Sequence, residues 1–151
     1  MELSLKERIQ EDMKSSLRNK DSTRLGVIRL IMAAIKQREI DERITLDNSQ
    51  VVEVLDKMLK QRRESINQYV KGRRQDLADK EAYEISVIQE YLPPALNDAE
   101  LERLINEAIS VSGAASPKDM GKVIGILKPR IQGRADMGKV SGKIKEKLAA
   151  L

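Results

Sequence analysis

The sequence predicts an all-α protein: an N-terminal four-helix unit followed by a small three-helix tail domain. Two observations carry this. Apolar residues recur three and four apart, the spacing of a helical face, along most of the 151 residues. Aromatic residues make up 2% (Tyr69, Tyr83 and Tyr91, with no Phe or Trp), so cores must be built from Leu, Ile, Val, Met and Ala, a set that favours helix over strand. Hydrophobic residues at 40% and charged residues at 34% suit helices with narrow apolar stripes and wide solvated faces.

Leu5, Ile9, Met13 and Leu17 mark the first helix. Asn19-Lys20-Asp21-Ser22 breaks it, and Asp21 or Ser22 is placed to cap the second. That helix carries Leu25, Ile28, Ile31, Met32 and Ile35, widened by Val27, Leu30 and Ala33-Ala34. So broad a face predicts a central helix touched from more than one side. Gly26 costs its first turns about 1 kcal/mol against Ala, which points to close helix packing there. Asp41 to Ser49 reads as a connector. A long helix follows to about Lys71 with Val51, Val54, Leu55, Met58 and Leu59 inward, then Ile66 and Tyr69-Val70, and Gly72 takes the usual glycine role at its end. The fourth helix runs from about Gln75 to Tyr91, with Leu77, Tyr83, Ile85, Ile88 and Leu92 as its apolar set.

Pro93-Pro94 cannot continue a helix, so residues 1–92 are read as one domain and 93–96 as a linker. In residues 97–151, Asn97 with Glu100 resembles a capping box, and its helix ends near Gly113. Ser116-Pro117 opens the next helix, which Pro129 closes. Asp136 caps the last, with Val140, Ile144 and Leu148 inward. No strand pattern, repeat or low-complexity segment is present.

The chain contains no Cys and no His, which excludes disulfides, thiol nucleophiles, the usual soft metal sites and any His general base. No apolar run approaches the ~20 residues of a membrane span. The stretch Met1–Lys20 mixes acids with bases, unlike a signal or transit peptide, and the expectation is a cytoplasmic protein with no catalytic residue, metal or cofactor. The net charge of +4 is unevenly spread. From Pro117 to Leu151 there are nine bases against three acids, +6 in 35 residues, while the other 116 residues hold 19 bases and 21 acids.

In that basic stretch Gly121, Gly125, Gly133 and Gly138 interleave with Lys122, Lys128, Arg130, Arg134, Lys139 and Lys143. Glycine lets a backbone approach phosphate and cations neutralise it. Equally, Gly121 and Gly125 suit tight helix packing, Gly133 a turn, and Lys139, Lys143 and Lys147 a solvated stripe. Without aromatic platforms, nucleic-acid contact would be to phosphate and 2′-hydroxyl, which favours folded RNA over single strands. A second basic cluster (Lys60, Arg62, Arg63, Lys71, Arg73 and Arg74) is interrupted by Asp56 and Glu64 and reads as surface ion pairing. Lys36 with Glu39 would be a catalytic pair only if buried. Ser112 to Ser116 reads as a loop, since it lacks the spacing of an amidase Ser–Ser–Lys site.

The whole chain resembles the YqeY family of small bacterial proteins. Leu30-Ile31-Met32-Ala33-Ala34-Ile35-Lys36 matches that family's second helix, Lys60-Gln61-Arg62-Arg63-Glu64-Ser65 its third, and Glu90-Tyr91-Leu92-Pro93 its domain junction. The C-terminal part is similar to the tail domain of the B subunit of the tRNA-dependent amidotransferase, which acts on glutamyl-tRNA(Gln) and aspartyl-tRNA(Asn). The shared residues are Met120-Gly121-Lys122-Val123, Gly133-Arg134-Ala135-Asp136, Val140 and Lys147-Leu148. This resemblance implies tRNA recognition through Lys122, Lys128, Arg130, Arg134, Lys139 and Lys143. The chain is too short to hold the amidotransferase's own catalytic domains. The expected function is therefore a non-catalytic tRNA-binding accessory protein, with amidotransferase or aminoacyl-tRNA synthetase proteins as further partners. One alternative is a component of a carbon–nitrogen ligase using glutamine as amide donor. The other is a helical adaptor that docks proteins on its four-helix unit.

Overall fold

The computed structural model describes residues 3–151; the first two residues of the Met1–Lys20 stretch lie outside it. Among the described residues all regular structure is helical, in two compact units, Met1–Leu92 and Pro93–Leu151. The first holds α1 (Leu5–Arg18), α2 (Ser22–Glu42), α3 (Asn48–Lys71) and α4 (Gln75–Gln89). The second holds α5 (Asp98–Ser112), a single 3-10 turn (Pro117–Asp119), α6 (Met120–Ile131) and α7 (Met137–Ala149).

Local chemistry sets most helix starts. Ser4 and Glu7 form a reciprocal capping box on α1, and Asp47 and Gln50 form one on α3. Asp21 is the cap of α2, accepting from the Arg24 N–H at 3.1 Å. Asn97 caps α5 and Asp136 caps α7 in the same way. Ser116-Pro117 does open a helix, but its first turn is 3-10. Asp119 Oδ2 holds that turn by accepting from the Ala115 and Ser116 N–H groups at 2.9 and 3.3 Å. Those bonds, with Lys122 nearby, keep the Asp119 carboxyl below its usual range.

In the N-terminal unit α2 contacts α1, α3 and α4. Its Ile28, Ile31 and Ile35 are fully buried against Ile9, Val51, Leu55 and Ile88. Several apolar assignments fail, that of Leu17 for a geometric reason. Strict four-residue steps advance about 40° beyond a full turn each time. By Leu17 the stripe of α1 has rotated off the core, and Leu17 is 60% exposed while Ser16, seven residues after Ile9, is buried. Tyr83, Leu30 and Val70 are also exposed in part.

The glycine expectations also change. A Cβ at Gly26, Gly121 or Gly125 would meet nothing within 4 Å, so none of them serves close packing. Gly26→Ala is therefore expected to stabilise the N-terminal unit by about 0.5–1 kcal/mol, checked by urea unfolding. At the end of α3 Gly72 has an ordinary φ of −82°, and the left-handed residue is Arg73 at +58°. Arg43 ends α2 at φ +55°. Pro129 does not close α6, which runs two residues further. Proline in a last turn leaves only the carbonyl four residues earlier without its helical donor. That carbonyl belongs to Gly125, which is exposed to water.

Two non-local contacts fasten the connections. Lys6 Nζ donates to both oxygens of Glu39 at 2.9 Å, and Glu39 Oε2 also accepts from the Leu46 N–H at 2.9 Å. The Leu46 bond first and Lys6 second hold the Glu39 carboxyl below its usual range. A carboxyl lowered on folding stabilises above its unfolded pKa of about 4.3, and that stability is lost as pH falls through the folded value. Glu39→Gln should therefore lower Tm at pH 7, with the gap to the parent chain closing in acid below about pH 4. In the second unit, residues 93–96 are bound to the turn before α7. The Leu96 N–H donates to the Arg134 carbonyl at 2.9 Å, and Arg134 Nε donates to the Pro94 carbonyl at 3.1 Å.

Candidate functional site

The six cations assigned to nucleic-acid contact all lie in the C-terminal unit, but it does not gather them on one face. At 100° per residue, Lys122, Lys128 and Arg130 spread over some 200° of α6. Lys139 and Lys143 share a face of α7, and Lys139 is exposed. Arg134 spends its guanidinium on Pro94.

The helix just outside the basic stretch answers much of its charge. Residues 97–116 carry Asp98, Glu100, Glu102 and Glu107 against one base, Arg103, which lowers the net charge of residues 97–151 to +3. Three of these acids meet three of the bases. Asp98 and Glu102, one turn apart on α5, face Lys143 at 3.7 Å and Lys147 at 3.1 Å, one turn apart on α7. Glu107 meets Arg130 at 3.4 Å, and Lys122 pairs within its own helix start with Asp119 at 3.7 Å. Of the six, Lys128 and Lys139 alone have no partner among the described residues. Such exposed pairs add little stability, but they compete with any anion for the same cations.

The other candidate residues serve the fold. Glu39 is engaged by Lys6, and Lys36 is exposed and apart from it. Arg62 reaches across to Glu84 on α4 at 3.0 Å with both side chains largely buried, and Arg74 pairs with Asp76. Burial and the neighbouring Glu84 push the Glu81 carboxyl up. Ser112 bonds back to the Ile109 carbonyl. Among the described residues no three His, Cys, Asp or Glu are arranged to hold a metal, and no helix is long and apolar enough to cross a membrane.

Between α2 and α3 lies an open groove of about 540 Å³. Ala34, Val54 and Met58 contribute its apolar lining, and Arg38 ties Glu42 to Glu53 along its rim. Beside it, the outward side of α2 leaves Leu30 47% and Ile40 60% exposed. This was the surface that reading for catalytic and phosphate-binding residues missed, although the seven-residue spacing of Arg29, Lys36 and Arg43 along its edge was visible in the sequence.

The model of the family described as Yqey-like protein matches residues 6–148. The chain belongs to the YqeY family. Among curated relatives, a protein of Vanderwaltozyma polyspora is 32% identical over 74% of this chain and 64% of its own length. Relatives from Kluyveromyces lactis (28% identical) and Pyrenophora tritici-repentis (30%) each match 95% of the chain and 75% and 80% of their own lengths. All three are named "Altered inheritance of mitochondria protein 41, mitochondrial". The chain thus spans less than two thirds of the length of the first of these relatives. Neither the family description nor these names state a catalytic activity. They correct the functional expectation. The relatives are named as mitochondrial proteins and not as amidotransferase tails, so the tRNA-binding accessory role is withdrawn, and with it the bacterial and cytoplasmic assignments.

Proposed function

We propose that this YqeY-family chain is a non-catalytic protein-binding module. The observation that carries the reading is the central helix α2, which leaves large apolar side chains uncovered on the side away from its core. Burying such surface on a partner gains free energy, whereas leaving it in water gains none. The polar interior supports the same reading. No buried side-chain N or O among the described residues lacks a hydrogen-bond partner. The half-buried charged groups, Glu39, Arg62 and Glu84, each hold helices together. The relatives' names attach them to the inheritance of mitochondria and state no chemistry, which suits a protein that acts by holding others.

The test is a set of isosteric changes at four part-buried ionisable groups, namely Asp12→Asn, Glu39→Gln, Glu84→Gln and Tyr91→Phe, in cells whose phenotype depends on this chain. For a binding module each folded variant keeps its function in proportion to its stability. One folded variant with all function lost would identify a reacting group and overturn the reading.

A further inference from the structure

The outward face of α2 has a regular pattern. At 100° per residue, Gly26, Leu30, Ala33, Gln37 and Ile40 fall within an arc of about 80°, opposite Val27, Ile28, Ile31 and Ile35, which are buried. Their spacing is that of a heptad seam, four then three residues, the arrangement by which one helix receives another. The two edges of the seam differ in charge. On one, Asp41 accepts from Gln37 and Arg38 is shared by Glu42 and Glu53, which leaves that edge net acidic. On the other stand Arg29 and Lys36, seven residues apart on α2, with Arg43 at the cap that ends the helix, and none has an acidic partner among the described residues. Arg43 holds a left-handed conformation (φ +55°, ψ +45°), as Lys20 and Arg73 do, and among the described residues its guanidinium makes no hydrogen bond or ion pair.

We infer that this face is a docking site for an amphipathic helix of a partner protein, apolar on the side that meets Leu30, Ala33 and Ile40 and acidic along one edge. The partner's acids would answer the row of Arg29, Lys36 and Arg43 as flanking charges do across paired helices. A second copy of this chain fits poorly. Antiparallel pairing sets each cation row against its own duplicate. Parallel pairing answers Lys36 with Asp41 and leaves Arg29 facing Ala34. The inference rests on the protein-binding reading and specifies its surface and partner.

The probe is a labelled synthetic peptide of about three heptads with Leu at a and d, Glu along the one flanking edge that meets Arg29 and Lys36 and Gln along the other, compared with the same peptide carrying Lys for Glu. Fluorescence anisotropy is read against the full chain. The acidic peptide is expected to saturate at roughly micromolar concentration, at least tenfold more tightly than the basic one. Leu30→Asp or Ile40→Asp should abolish binding with only a small fall in Tm, because both side chains are about half exposed or more. Arg29→Glu with Lys36→Glu should weaken it at least tenfold. Arg43→Gly should weaken it while raising Tm, whereas Arg73→Gly raises Tm alone. Equal binding of both peptides, or binding of neither, overturns the inference. So does a dimer in sedimentation that Leu30→Asp dissociates, which would assign the face to a second copy. The module reading is decided separately, by the isosteric variants.

Discussion

Leu127→Ala is expected to melt α5, α6 and α7 while α1 to α4 stay folded. Leu127 is fully buried in a core with Leu104, Ile105, Val140 and Ile144, and that core shares no residue with the one around Ile28, Leu55 and Ile88. Truncating a fully buried leucine costs about 3 kcal/mol, part lost transfer free energy and part cavity. A unit of about 60 residues buries a smaller share of its surface than a larger domain and is stable by only some 3–9 kcal/mol. The substitution thus removes a third or more of what holds the C-terminal unit. Hydrogen exchange should show amide protection collapsing in α5–α7 and kept in α1–α4. A uniform loss of protection along the whole chain would show that the two units unfold as one.

The features of the fold that depend on a few neighbouring residues were legible in the sequence. Caps such as Asp21, Asn97 and Asp136 act within three residues, so a local reading finds them. The stripe of α1 was legible as far as Met13, until the mismatch between a four-residue step and a 3.6-residue turn carried Leu17 into solvent. Other features lie outside any local rule. The left-handed turn beyond α3 falls on Arg73 with a glycine one position away. The register of the closing hydrogen bonds decided it, the Arg74 N–H reaching back to the Tyr69 carbonyl at 2.8 Å. The basic tail misled for a related reason. Counting charge from Pro117 left out α5, whose acids lie about 45 residues from the lysines they meet. Charge along a sequence is an additive property, whereas the field at a surface depends on which helices lie side by side. The same limit hid the outward face of α2, since an apolar helix reads alike whether all of its sides are covered or one is left open.

Tyr91 is the other residue whose loss should cost most. It is 3% exposed at the C-terminal end of the first unit, where its hydroxyl donates to Asp12 Oδ2 at 2.6 Å and the Arg8 guanidinium lies over its ring at 5.1 Å. Arg8 continues to the Glu90 carbonyl at 2.8 Å, and Arg24 pairs with the Glu90 carboxylate. One aromatic ring therefore ties the last turn beyond α4 to α1, and the adjacent Glu90 ties it to α2. Tyr91→Ala should cost about 3–5 kcal/mol through the lost ring volume. Tyr91→Phe keeps the ring and should cost about 1–2 kcal/mol, because Asp12 loses a donor in a partly buried position. Burial first, and then the Asp12 carboxylate, push the phenol's pKa well above its usual value near 10. An acid whose pKa is raised on folding stabilises fully below its unfolded pKa, and that contribution is lost as pH climbs through the folded value. The parent chain should thus lose stability progressively above about pH 10 by the release of one proton on unfolding. Tyr91→Phe should lack that one-proton slope, although it is less stable at pH 7. Urea unfolding at pH 7 and at about pH 10.5 separates the two effects: parallel loss in both proteins would show that the phenol is free to ionise in the folded state.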